Sequence, residues 1–240
     1  MSSIFRFKKF EILQEHSALK VGTDAMLLGA LIDTNQASHG LDLGSGTGVL
    51  SLMVAQQNES ICIDAIEEHA ESYNECKWNF QNSPWQNRLE VHKGNYFSFS
   101  FQRKYDLIFS NPPFYFEKES HTKSNNLTSK HTTKEDFDRF ASLVISQLSN
   151  EGKFWIIVPF NLYEYIVYYS IFKSLFINGL VFIIPKQNKN INRVVMCFSF
   201  YETVIDKSEI ILRNMDGLYT DAYVDLTKAY HYNNLKELGT

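Results

Sequence analysis

Asn111 stands between a run that reads as a buried strand and two prolines. The segment YDLIFSNPPFY spans Tyr105 to Tyr115, and Leu107, Ile108 and Phe109 make its first half continuously apolar. A strand that exits into Asn-Pro-Pro-Phe, rather than into a polar turn, points to a particular chemistry. The Asn111 side-chain oxygen and the Pro112 carbonyl are two hydrogen-bond acceptors at a fixed separation, because Pro112 and Pro113 lock φ and remove donors. Placed on the two N–H groups of a planar amine, they would draw its lone pair out of conjugation and aim it at an electrophile. Phe114 offers a π-face on which a planar base can stack. Such a site needs no strong general base when the electrophile already carries positive charge.

A cradle for that electrophile lies earlier in the chain. DLGSGTG (Asp42 to Gly48) follows a strand and opens a helix. Gly44, Gly46 and Gly48 let the backbone turn sharply and let a ligand lie against it with no Cβ in the way. The dinucleotide fingerprint counted from Gly44 would need glycine where Val49 stands, and no Lys-Ser/Thr follows, as a phosphate-binding loop requires. G-x-G-x-G after a strand carrying an acid is the S-adenosylmethionine pattern. Glu67 ends the next strand, where an acid can accept both ribose hydroxyls of an adenosine. Asp42 would sit near the methionyl end, through its amino group or a water. A third strand end, HKGN, brings Asn95 and Tyr96 to the same rim. Asn95 can meet the adenine amine and Tyr96 part of a flat wall, but a turn-forming Asn beside a core Tyr fits the residues nearly as well.

The elements that must position these groups alternate from residue 40 onward. Strands read at 40–43, 60–67, 89–95, 105–110 and 153–159, and helical spacing at 69–81, 136–148 and 162–175, with 150–152 ending the second of those helices. GLVFIIP and RVVMCFSF flank the loop 186–192 as a terminal hairpin. Alternation of this kind means an open, mostly parallel sheet with helices on both faces and one antiparallel edge. Ligands bind such sheets at the carboxyl ends of the strands. Gly40–Leu43, Ser60–Glu67 and YDLIFS would all end at that rim.

Composition fits a single globular domain: 44% of residues are hydrophobic and 21% charged. A net charge of −4 excludes a globally basic nucleic-acid binder, so any polyanion contact must come from a local patch. Three cysteines without CxxC spacing argue against a disulfide framework and against a metal site. The N-terminus lacks the apolar core of a signal peptide, and no apolar run approaches the ~20 residues of a membrane span. A cytoplasmic protein without membrane contact or an obligate protein partner is expected.

DLGSGTG, DAIE and SNPPF, in this order and spacing, resemble the class I S-adenosylmethionine-dependent methyltransferases that act on planar amino nitrogens. FRFKKFEILQEHSALKVGTDAMLLGA (residues 5–30), NSPW (82–85) and YTDAYVDLTKAYH (219–231) extend the likeness over almost the whole chain. Those segments resemble the tRNA1(Val) adenine-N6 methyltransferase family. The resemblance implies a Rossmann-like α/β fold, a mostly parallel seven-stranded sheet with an antiparallel edge hairpin, in one domain over residues 1–240. Residues 1–39 would cover the cofactor and 40–240 would form the catalytic sheet core. It implies methyl transfer from S-adenosyl-L-methionine, leaving S-adenosyl-L-homocysteine, to N6 of an adenosine in tRNA, at position 37 of the anticodon stem-loop. Asn111, Pro112, Pro113 and Phe114 would carry the reaction. Lys20, Thr23 and Asp24 would join Asp42, the three glycines, Glu67, Asn95, Tyr96 and Asn111 around the cofactor. By the residues alone, GTDAMLLGALI also reads as a capped helix start, with Thr23 or Asp24 as N-cap.

Three clusters could touch RNA phosphates: Arg6, Lys8 and Lys9; Lys118, Lys123, Lys130 and Lys134, diluted by acids; and Lys186, Lys189 and Arg193, with no acid between them. A solvated hairpin tip competes for the third. The same Asn-Pro-Pro-aromatic chemistry also serves release-factor glutamine, guanine-N2 and DNA-adenine methylation. A binding module that keeps the fold without catalysis would be expected to lose the glycines, Glu67 or Asn-Pro-Pro-Phe.

Overall fold

The computed structural model describes residues 3–17, 20–112, 134–169, 174–232 and 235. The chain opens with a small antiparallel pair, β1 (Ile4–Arg6) and β2 (Glu11–Leu13), and then α1 (Thr23–Leu31). The alternating core follows: β3 (His39–Leu43), α2 (Val49–Gln57), β4 (Cys62–Glu67), α3 (Ala70–Gln81), β5 (Leu89–Lys93) and β6 (Tyr105–Ser110). Next come α4 (Lys134–Gln147), β7 (Leu148–Pro159), α5 (Phe160–Tyr169), β8 (Phe176–Ile184), β9 (Arg193–Ser199), β10 (Asp206–Ile211) and α6 (Asp221–Thr227).

One sheet runs in the order β10-β8-β9-β7-β6-β3-β4-β5. Strands β3 to β7 pair in parallel, and β9 is antiparallel to both β7 and β8. The expected open α/β fold is present, with eight strands rather than seven. The hairpin β8–β9 is not the edge, because β10 pairs in parallel outside it. The first four residues of β10 are exposed and charged or polar, so it lacks the apolar alternation by which a strand is read. Alternation within β6 sends Leu107 and Phe109 into the layer shared with α1, α2 and α3, and Ile108 into the layer shared with α4 and α5.

The segment 150–152 does not stop a helix but lies inside β7. Gly152 is there for close approach: a Cβ would stand 2.9 Å from the Tyr105 carbonyl and 2.8 Å from Leu148. The β6–β7 register shifts between Tyr105 and Leu107, which takes up the extra residues.

The separated segments that carry the family likeness meet in space. Phe10 stacks on Phe7 at 4.2 Å and packs edge-on against Trp85 at 5.6 Å. The Lys8 amide donates to the Tyr230 carbonyl, and Phe7 bridges His231. N-terminal hairpin, NSPW turn and C-terminal tail therefore form one apolar corner.

Candidate active site

The strand order reverses between β3 and β6: β4 and β5 lie on one side of β3, and β6 and β7 on the other. In open α/β sheets this switch point opens a crevice at the carboxyl ends. The glycine loop leaves β3 on one side of it and Asn111–Pro112 leaves β6 on the other. The Ser110 hydroxyl donates to the Leu43 carbonyl at 2.6 Å, fixing the last residues of the two strands to each other. Asn111 and Pro112 are half-buried; Pro113 and Phe114 lie outside the described residues.

The glycine loop owes its shape to three left-handed residues, with φ of 74° at Gly44, 56° at Gly46 and 79° at Gly48. Two of them differ in surroundings. A Cβ on Gly48 would stand 2.6 Å from the Phe80 ring and 2.7 Å from the Cys76 sulfur, so this residue seats the loop on α3. A Cβ on Gly46 would meet no described residue within 4 Å. The open side of the loop is therefore at Gly46.

Glu67 is buried at the end of β4 and shapes the same loop. One carboxylate oxygen accepts from the Gly46 amide at 2.8 Å and the other from the His69 amide at 2.8 Å. Each oxygen keeps a further lone pair for a hydroxyl. Asp42 is fully buried and points away from Leu41 and Leu43, towards α2. The Ser51 hydroxyl donates to its Oδ2 at 2.7 Å, while Oδ1 has no hydrogen-bond partner among the described residues. Burial, with the Glu67 charge adding to it, pushes the Asp42 carboxyl up to about 7 against the bonds from Ser51.

At the end of β5 the Asn95 side chain is already engaged. Its oxygen accepts from the Phe97 amide at 2.8 Å, and its amide donates to Glu68 at 3.3 Å. This is an Asx turn, the competing reading of that residue. Tyr96 packs edge-on against Phe97 and Phe140. Burial, then Glu68, Asp136 and Glu67, push its hydroxyl up to about 12, so it stays a neutral wall.

Lys20 and Thr23 are exposed, and neither Thr23 nor Asp24 is the N-cap; Gly22 is, without a side-chain cap. Asp24 accepts instead from Arg193 at 2.9 Å. A residue expected at the cofactor and one expected at RNA thus form an ion pair between α1 and the start of β9. Lys186 and Lys189 remain on the β8–β9 turn, whose tip includes the left-handed Asn188. Of the N-terminal cluster, Arg6 pairs with Glu11 at 3.0 Å and Lys8 donates to the Lys228 carbonyl, while Lys9 is exposed. Lys118, Lys123 and Lys130 lie outside the described residues, as does the side chain of Lys134. Ser51 and Ser110 were not foreseen; a hydroxyl nine residues after the acid, on the helix that the loop opens, is the signal that would find Ser51.

Two features of the described residues fit S-adenosylmethionine: a buried Asp42 carboxylate oxygen without a partner among them, suited to a cationic group, and a Cβ-free backbone at Gly46. Fold and site define a class I methyltransferase. The methyltransferase small domain model matches residues 15–176. An Agrobacterium tumefaciens structure described as a "predicted O-methyltransferase" superposes with a TM-score of 0.67 at 16% identity, over 86% of this chain and 96% of that one. The glycopeptide N-methyltransferase MtfA, complexed with S-adenosylmethionine, superposes with a TM-score of 0.55 at 10% identity, over 76% of this chain and all of that one. Curated relatives narrow the class. The tRNA1(Val) (adenine(37)-N6)-methyltransferase of Actinobacillus pleuropneumoniae is 33% identical over 95% of this chain and 97% of its own length. Its counterpart in Pedobacter heparinus is 33% identical over 96% and 98%. The chain belongs to the tRNA1(Val) (adenine(37)-N6)-methyltransferase family.

Proposed function

We propose that this chain transfers the methyl group of S-adenosylmethionine to the exocyclic N6 of adenosine 37 in tRNA1(Val). The observation that carries this reading is the pairing of the glycine loop with Asn111–Pro112 across the switch point, held by the Ser110–Leu43 bond. The bound cofactor supplies a methyl group on a positively charged sulfur. Glu67 holds the ribose hydroxyls with the lone pairs its two backbone donors leave free. Asp42 faces the cationic methionyl end, and Tyr96 walls the adenine. The Asn111 side-chain oxygen and the Pro112 carbonyl would accept hydrogen bonds from the two N6 N–H groups of the target base, localising its lone pair towards the methyl group, whose bond to sulfur breaks as the bond to N6 forms. The proton leaves to water after transfer.

A base beside the anticodon is already partly unstacked, which lowers the cost of bringing it to Asn111. Phe114 is the proposed stacking surface. Lys186 and Lys189, with Lys9, are the proposed phosphate contacts; Arg193 serves the Asp24 pair first.

Asn111→Ala tests the mechanism. Methyl transfer should fall by about a hundredfold or more, while calorimetric binding of S-adenosylmethionine stays within about twofold of wild type. Unchanged transfer in that variant would remove Asn111 from the reaction.

A further inference from the structure

Helix α3 buries three polar side chains on one face: Ser72, Glu75 and Asn79, at 5%, 4% and 1% exposure, beside Cys76 and Phe80. Their spacing of three and four residues is that of a core-facing stripe, where apolar residues are the norm. Buried polar groups persist there only if they are hydrogen-bonded. The bonds of Glu75 and Asn79 go to two places that are distant in sequence.

Asn79 uses both ends of its amide. Its oxygen accepts from the Leu13 amide at 2.7 Å, and its nitrogen donates to the Leu13 carbonyl at 3.1 Å and the Thr47 carbonyl at 2.9 Å. One side chain thus joins the end of β2 to the glycine loop. One turn earlier, Glu75 accepts from the amides of Glu15 at 2.7 Å and His16 at 2.6 Å on one oxygen. Its other oxygen accepts from the Ser17 amide at 3.1 Å and from the Ser17 hydroxyl. Burial presses this carboxyl upward, but hydrogen bonds from His16, Ser17 and Glu15 outweigh it and hold Glu75 below the usual carboxylate range. The Gln14 side chain then accepts from the Val21 amide at 2.7 Å, closing the segment just ahead of Gly22, Thr23 and Asp24. The same face of α3 carries Phe80 and Cys76, on which Gly48 sits. Residues 13–17 and the glycine loop are therefore both referenced to one helix.

We propose that Asn79 and Glu75 are positioning residues for S-adenosylmethionine: through α3 they fix residues 13–17 against the glycine loop, and so set cofactor affinity without touching substrate. The proposal rests on the methyltransferase reading given above. It differs from a role in stability alone, because it predicts that binding and these bonds are coupled. A loosened segment or loop must be ordered when the cofactor binds, which weakens affinity and leaves the chemical step intact.

The test compares Asn79→Asp, which keeps the acceptor and removes both donors, and Glu75→Gln with a control of purely structural effect. Arg88→Met is that control: its guanidinium donates to the Ala55 and Ile61 carbonyls at 2.7 Å each, far from the carboxyl-end rim. For Asn79→Asp and Glu75→Gln, KM and Kd for S-adenosylmethionine should rise about tenfold or more. The kcat at saturating cofactor and KM for tRNA should stay within about twofold. Arg88→Met should lower the melting temperature and leave the cofactor constants alone. Wild-type amide exchange gives a second measurement that needs no variant. Adding S-adenosylmethionine should slow exchange at Leu13, Glu15, His16 and Ser17 together with Gly46. Protection of Gly46 with residues 13–17 unchanged, or variants that bind cofactor as wild type does, overturns the proposal. Wild type that fails to bind S-adenosylmethionine at all overturns the methyltransferase reading itself, and the proposal with it.

Discussion

At the scale of single residues, Asp42 combines deep burial with a charge-bearing group. The fold keeps it fully buried with one oxygen unpartnered, and its carboxyl is raised from 3.8 to about 7. The folded protein binds this proton more tightly than the unfolded chain does. This group alone therefore makes stability fall as pH rises from about 4 to about 7, after which its contribution levels off. A cationic ligand beside Asp42 favours the ionised form, so cofactor affinity should move the other way and strengthen between about pH 6 and about pH 8. Asp42→Asn should be more stable than wild type at about pH 8 and should bind S-adenosylmethionine more weakly, with that pH dependence flattened. Thermal melts and calorimetry across the range check both. Loss of affinity with the pH dependence retained would assign it to another group. The place of the glycines, Asp42, Glu67 and Asn111 at the ends of neighbouring strands was legible in the sequence, because apolar runs lead into each. Asn95 was ambiguous for a physical reason: Asn serves an Asx turn as readily as a ligand, and here it makes the turn.

At the scale of elements, the glycine loop separates two jobs that the sequence pattern G-x-G-x-G runs together. Gly46→Ala places a methyl group that no described residue meets on a left-handed residue, so it should cost only about 1–2 kcal/mol in stability. The same methyl group stands where the loop is open to ligand, and cofactor binding should fall by about tenfold or more. Gly48→Ala adds a clash with Phe80 and Cys76 to a similar backbone cost, and should lower stability by about 3 kcal/mol or more. Denaturant melts and calorimetry on the two variants read the contrast. Equal stability losses would mean that the packing of Gly48 on α3 is not what the close contacts indicate. Core strands were legible from their apolar runs, α4 and α5 from a strong helical period, and α2 from an apolar stretch after the glycine loop. The elements that escaped, β1, β2, β10 and α6, are short or exposed, and β10 is placed by pairing with β8 rather than by a buried face of its own. Gly152 misled for a related reason: a glycine after a helical period reads as a stop, whereas here it admits the Tyr105 carbonyl.

At the scale of the whole molecule, the fold brings together what the sequence keeps apart. Residues 5–30, the NSPW turn and the C-terminal tail were recognisable as family segments, but nothing in their spacing said that Phe10, Trp85 and Tyr230 share a corner. Nor did it say that Arg193 of the hairpin closes on Asp24 of α1. Long-range ion pairs and polar clasps leave no period in a sequence. Among the described residues no helix is long and apolar enough to cross a membrane. The rim at the β3–β6 switch point, flanked by the glycine loop and Asn111, is the feature of the assembled molecule on which the proposed function rests. The measurement that tests this most directly is methyl transfer from labelled S-adenosylmethionine to tRNA lacking the modification, followed by digestion and mass analysis of nucleosides and fragments. The account predicts N6-methyladenosine in the fragment just 3′ of the tRNA1(Val) anticodon. Label in another nucleoside, or cofactor binding with no labelled nucleoside, would contradict it.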